Sequence, residues 1–117
     1  VEVAFQDLKN AVATAGANIF AEVPHSKGAA SVDMELNDSM LLIFGNPKMG
    51  TPLLQQDMHA GLVLPLKMLV YADDEGQTWV AYEDVDTMLD GLNIDMDGQV
   101  IENMKMVLDS FAKEAAD

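Results

Sequence analysis

Five polar residues of the chain have side chains suited to binding a small ligand: His25, Asn46, Lys48, Thr51 and Lys67. Histidine exchanges protons near neutral pH, and lysine supplies a compact positive charge that attracts carboxylates and phosphates. His25 and Lys67 each adjoin an apolar stretch, where a strand end can face a cleft. We therefore expect these five side chains to form a small-anion site. A backbone-bonded histidine and surface lysines of little energetic consequence would explain the same residues without a ligand.

Residues 45–51, Gly-Asn-Pro-Lys-Met-Gly-Thr, are the strongest local candidate for anion binding. A helix is predicted to begin directly after them, because the Thr51 hydroxyl suits an N-cap and Pro52 suits a first helical turn. Amide donors at a helix start, together with Lys48, favour a small anion. The spacing is not that of a nucleotide-binding phosphate loop, because Lys48 precedes the second glycine. A rigid strand-to-helix turn would explain the same pattern, so both interpretations stay open.

Two other chemistries are conceivable from the same residues. His25 could act as an acid or base, with Lys48 or Lys67 steadying an anion, which would make the domain an enzyme or an accessory factor. His25 and His59 could instead hold a metal or haem with methionine sulfur. No closely spaced histidine pair supports that reading, and methionines at these spacings are typical of core packing. We therefore predict no metal site, favour a non-enzymatic role with the enzyme as the alternative, and leave any cofactor open.

The net charge of the chain limits the classes of molecule that it can bind. The 117 residues include 20 acidic residues against six lysines, for a net charge of −14. A field of that sign repels nucleic acid and anionic lipid surfaces. We expect no nucleic-acid partner. The acidic surface is either simply solvated or a face for a basic partner or divalent cations.

Cysteine content and hydropathy bear on the cellular setting. The chain has no cysteine, which suits the cytoplasm and the periplasm equally. No apolar run approaches the roughly 20 residues needed to cross a bilayer, so we expect a soluble protein without membrane insertion. No basic-then-apolar leader precedes Val1, and whether a leader or a first strand lies upstream stays open.

The periodicity of the apolar residues predicts the elements that position these side chains. An apolar stripe at helical spacing ends at Gly16, short apolar runs indicate strands, and an Asp-Asp-Glu-Gly turn joins the last two strands. The prediction is a single α+β domain over residues 1–117, with about four mainly antiparallel strands covered by helices on one face. The elements are a helix over 5–15, strands over 19–23 and 40–44, a turn over 27–31, a helix over 51–61, strands over 66–71 and 78–82, a short turn of helix over 84–89 and a helix over 100–115.

Several motifs resemble one bacterial family. They are Leu-Leu-Ile-Phe-Gly-Asn-Pro-Lys over 41–48, Gly-Thr-Pro-Leu over 50–53, Leu-Pro-Leu-Lys over 64–67, Trp-Val at 79–80 and the strand before His25. In this order and spacing they resemble the family called domain of unknown function 302. The resemblance implies a two-layer fold similar to that of the TATA-binding protein, without its DNA-binding role. It also implies a strand before the first helix, here absent or reduced to Val1–Val3, and no activity to transfer.

The expected function is a non-enzymatic binding module that holds a small anion. Its cleft would lie between the Gly45–Thr51 loop, His25 and Lys67. An apolar sheet with an incompletely covered edge favours a homodimer, because such surfaces are usually covered.

Overall fold

The computed structural model describes residues 1–116 and contains one four-stranded sheet with helices packed against one face. The predicted fold class and the predicted order of the main elements are thus confirmed. No helix within 1–116 is long and apolar enough to span a bilayer. The elements are α1 (Glu2–Thr14), β1 (Asn18–Pro24), α2 (His25–Ala30), β2 (Ser39–Gly45), α3 (Pro47–Gln56), a 3-10 helix (Met58–Leu62), β3 (Leu66–Ala72), β4 (Thr78–Tyr82), α4 (Val85–Met88) and α5 (Gln99–Ala116).

The four strands are antiparallel and lie side by side in chain order. Alternate residues of each strand point to opposite faces, so the register decides which side chains enter the core. Leu42 lies opposite Met68, and Val70 opposite Val80, on the face covered by helices. A register shift after Ile19 marks a bulge in β1.

The core forms where α1 and α5 cross the sheet. Apolar residues at helical spacing line the inner faces of both helices and are almost fully buried, among them Leu8 and Leu108. The Phe44 ring from β2 meets the Phe111 ring from α5 edge-to-face, with centroids 5.7 Å apart. These contacts fix α5 against the sheet and explain its continuous apolar stripe.

The chain is helical from Glu2 and forms no strand at Val1–Val3, which agrees with the expectation of an absent or reduced first strand. Two other local predictions differ from the structure. Residues 25–30 form the short helix α2, whereas a turn was expected over 27–31. The helix expected to begin at Thr51 begins at Pro47, because the Asn46 side chain caps it first.

The opposite face of the sheet is covered by no helix within residues 1–116. Its side chains do not pack against the core, although most of them are apolar. We call this surface the open sheet face and define it by its six largest apolar residues: Val23, Leu41, Ile43, Leu69, Tyr71 and Trp79.

Candidate ligand-binding cleft

A cleft of about 320 Å³ lies at one end of the sheet, beside the junction of β2 and α3. This volume is at the small end of the range for ligand pockets. Its walls come from β1, β2, α3, the 3-10 helix, the segment leading into β3, and α5. The lining residues are Phe20, Gly45, Asn46, Pro47, Met49, Gly50, Thr51, Leu54, Gly61, Leu64, Pro65, Leu66 and Met104.

One face of α3 forms a wall of this cleft. Pro47, Gly50, Thr51 and Leu54 follow the i, i+3, i+4, i+7 spacing that places residues on one side of a helix. Gly50 has no side chain, and a Cβ placed there would lie 3.8 Å from Leu64 across the cleft. The missing side chain therefore leaves open space between α3 and the segment before β3.

Gly45 allows a close approach at the edge of the cleft. A Cβ at this position would lie 3.2 Å from the Phe20 ring and 3.6 Å from Pro65. The first distance is tighter than a normal carbon contact, so a side chain at Gly45 would displace the ring. Phe20 is held against the bare backbone and remains about half exposed, at 56%.

Among residues 1–116, the polar side chains that line the cleft are Asn46 and Thr51, and none of the lining residues is charged. The Asn46 oxygen Oδ1 accepts a hydrogen bond from the amide of Lys48 at 3.0 Å. The amides of Met49 and Gly50 both donate to the Asn46 carbonyl at 2.9 Å. The donors of the first helical turn are therefore already paired, which removes the amide cradle expected for an anion.

The five predicted site residues do not converge. Asn46 and Thr51 line the cleft, and Lys48 lies exposed on the adjoining turn of α3. His25 begins α2 at the far end of β1, whose seven residues extend roughly 20 Å from the cleft end. Lys67 lies opposite Ile43, exposed on the open sheet face outside the cleft lining. The cleft is thus bounded by neither His25 nor Lys67.

The two histidines lie on separate elements. His59 is exposed in the 3-10 helix, and its Nδ1 lies 3.1 Å from Oδ1 of Asp57. The Asn93 amide and the His59 amide also donate to Asp57, and these bonds hold the pKa of that carboxyl below its ordinary value of 3.8. Among residues 1–116 there is no group of three His, Cys, Asp or Glu side chains placed to hold a metal ion.

A comparison with protein families decides the affiliation of the chain. Residues 1–111 match the family model described as domain of unknown function DUF302. The chain belongs to the DUF302 family. The match extends over almost the whole sequence and confirms the resemblance seen in the motifs.

A solved DUF302 structure has the same fold. An uncharacterised conserved DUF302 protein from Bacillus stearothermophilus superimposes with a TM-score of 0.81, covering 96% of this chain and 88% of that one. The two sequences are 14% identical. At that identity the likeness establishes the fold alone.

Curated relatives of this DUF302 chain include ion channels. A protein named fluoride-specific ion channel FluC 1 from Brucella suis is 39% identical over 69 residues, and the protein of the same name from Brucella abortus matches equally. The aligned part is 59% of this chain but only 27% and 26% of those relatives. The chain thus matches about a quarter of their length.

Sequence reasoning missed the apolar walls of the DUF302 cleft. Phe20 belonged to the predicted first strand, and Gly61 and Leu64 stood near the predicted helix end. Met104 was assigned to the core stripe of the last helix, where it is indeed buried, at 1% exposure. The available signal was the glycine content of the lining, since Gly45, Gly50 and Gly61 leave the space open.

Proposed function

We propose that this DUF302 domain is a binding module, without catalytic activity of its own, that holds a small and mainly apolar molecule in the cleft. The observation that carries the proposal is the lining: an open cleft of about 320 Å³ with mainly apolar walls, whose polar side chains among the described residues are Asn46 and Thr51. Ligand sites commonly combine apolar walls with a few polar groups that fix orientation. Burial of the apolar body supplies the affinity, and the polar groups orient one end of the ligand.

The anion expected from the sequence is retained as the polar end of this ligand. A carboxylate there would have the Thr51 hydroxyl as a donor, and Lys48 on the adjoining turn could reach it through its flexible stem. A bare inorganic anion is less favoured, because the amides of Lys48, Met49 and Gly50 are already bonded. A small apolar carboxylate combines both requirements.

Fluoride is a second candidate, favoured by the names of the Brucella relatives. The argument against it is local: the cleft contains no charged side chain, and a small hydrated anion gains nothing from apolar walls. Fluoride is therefore tested separately in the ligand screen described below.

The other chemistries considered from the sequence receive less support. An enzyme using His25 with Lys48 or Lys67 needs these groups at one place, and they lie on three separate elements, α2, α3 and β3. Metal or haem binding through His25 and His59 meets the same difficulty. The acidic surface remains available for a basic protein, and we propose in addition that the module works as a homodimer.

A thermal-shift screen of three proteins tests the ligand proposal. Wild type, Gly50→Leu and Gly28→Leu would be screened against small apolar carboxylates, their neutral amides, inorganic phosphate, and sodium fluoride against sodium chloride. Leucine at Gly50 points toward Leu64 and fills the cleft, whereas Gly28 is an exposed helical glycine with no atom within 4 Å of its added Cβ. Both changes also improve helix propensity, by roughly 0.5–1 kcal/mol.

We expect an apolar carboxylate at 100 times its Kd to stabilise wild type by about 2.7 kcal/mol, or on the order of 10 °C in Tm. Gly28→Leu keeps that shift, and Gly50→Leu loses it while folding at least as stably as wild type. A shift that survives in Gly50→Leu would place the site elsewhere. A response to fluoride alone would select the second candidate, and no response to any compound would contradict small-ligand binding.

A further inference from the structure

The open sheet face departs from the usual pattern of a sheet with one solvated side. Antiparallel sheets of that kind alternate apolar and polar residues, whereas strands covered on both faces read as continuous apolar runs. In β2 the run Met40–Phe44 is entirely apolar, yet only Leu42 and Phe44 are fully buried. In β3, Leu69 and Tyr71 likewise alternate with buried residues but face outward. These strands have the composition of a sheet that is covered on both sides.

The charge distribution separates this face from the rest of the molecule. Although the chain contains 20 acidic residues, none of the strand residues that point to the open sheet face is acidic. Lys67 is the one charged residue there, at the end of β3 where its long stem can carry the charge to the rim. Glu22 of β1 points to the other side, where it pairs with Lys9 of α1 at 3.3 Å. The Asp73 carboxylate lies at the rim of this face, bonded to Nε1 of Trp79 at 2.9 Å. The strand surface itself carries no acidic side chain, and two chains of net charge −14 can approach each other there.

The dimensions of the face suit a weak dimer. Four strands about 4.8 Å apart and about 20 Å long present roughly 400 Å² on each copy. Two such faces bury roughly 800 Å² in flat projection, and more with side-chain relief, which is below the area of stable interfaces and in the range of weak, transient ones. We expect an association across so small an area to be weak and reversible.

We propose that the open sheet face is the interface of a homodimer, in which two copies pack sheet against sheet about a two-fold axis. The sheets would lie about 10 Å apart with Leu41, Ile43 and Leu69 near the middle and Trp79 toward one side. A second copy fits better than a basic protein, because a basic protein would be drawn to the acidic surfaces and finds no acidic strand residue here. The inference specifies the dimer of the proposed function and is independent of the cleft.

Sedimentation velocity over a concentration series tests this interface. We expect wild type to pass from the 12.7 kDa monomer to a species of twice that mass. Leu69→Glu should remain monomeric, because it places a carboxylate at the centre of each face. Leu36→Glu makes the same change in an exposed loop between α2 and β2 and should dimerise as wild type does. Added sodium chloride should strengthen the dimer by screening the repulsion between the two acidic bodies.

The emission of Trp79 provides a readout without any substitution. Trp79 is the single tryptophan and is 46% exposed in the monomer, so its emission should shift to shorter wavelength as the concentration rises. A wild type that stays monomeric up to millimolar concentration would overturn the proposal, as would a dimer unaffected by Leu69→Glu. Two further outcomes keep the proposals apart. Ligand shifts in a wild type that never dimerises overturn only the interface, and a wild type that dimerises without any ligand shift overturns only the cleft.

Discussion

Asp73 organises the turn between β3 and β4 with a single carboxylate. Its Oδ1 accepts hydrogen bonds from the amides of Glu75 and Gln77, and its Oδ2 accepts one from Nε1 of Trp79, each at 2.9 Å. Gly76 supplies the positive φ of +83° that the turn requires. The bond from Trp79, followed by those from the backbone, holds the pKa of the Asp73 carboxyl below its ordinary value of 3.8. The Asp-Asp-Glu-Gly turn predicted from the sequence is thus held in place by hydrogen bonds to the Asp73 carboxylate.

The titration of Asp73 can be read from Trp79, since the chain has no other tryptophan. We expect Trp79 emission to change with an apparent pKa below 3.8, and Asp73→Asn to remove that transition. Because the folded pKa is depressed, the stabilising contribution is fully present above the unfolded pKa and is lost as the pH falls through the folded pKa. Asp73→Asn should therefore lower Tm at pH 7, by an amount that shrinks in acid. Asp74→Asn is the matched control, and a transition that persists in Asp73→Asn would contradict the assignment.

At the scale of elements, the start of α3 decides the shape of the cleft. Asn46-Pro47 and Thr51-Pro52 carry the same local signal, a capping side chain followed by proline. The helix begins at the first pair, with Asn46 bonded to the amide of Lys48, and this choice places Thr51 on the cleft-facing side. Leu53 is then fully buried in the core.

Two alanine substitutions distinguish the two helix starts. Asn46→Ala removes the cap and should destabilise the protein by about 1 kcal/mol. Thr51→Ala should be neutral or stabilising by a few tenths of a kcal/mol, because Thr51 is an exposed residue inside the helix. Urea unfolding measures both, with Asn46→Asp as a variant that keeps the capping oxygen. The reverse order of effects would show that the helix begins at Thr51.

Much of this fold can be predicted from the sequence, because the periodicity of helices and strands is a local pattern. The site depends on contacts between residues that are far apart in the chain, which local patterns do not reveal. The stripe of α5 was predicted from the spacing of apolar residues, and the hairpin of β3 and β4 from its Asp-Asp-Glu-Gly turn. His25 does not meet segment 45–51 because neighbouring antiparallel strands run in opposite directions and therefore finish at opposite ends of the sheet. Pro24 lies opposite Met40, and Asn18 lies opposite Gly45, so the segments that follow β1 and β2 are far apart.

At the scale of the whole molecule, the same fold is reached with few shared residues. The Bacillus stearothermophilus structure is only 14% identical, because a fold of this kind needs apolar patterning and turn chemistry more than particular side chains. The cleft and the open sheet face are separate surfaces of one small domain. A ligand module and a homodimer can therefore coexist in 117 residues without competing for the same side chains.

The most direct test of the ligand-binding cleft is a methyl NMR spectrum of protein labelled at methionine, recorded with the strongest apolar carboxylate from the screen. The nine methionines act as probes spread over the chain, and only Met49 and Met104 line the cleft. We predict that these two methyl signals show the largest shifts on titration. If the compound binds while Met49 and Met104 stay unchanged, and the signals of Met34 or Met40 move instead, the cleft is not the ligand site.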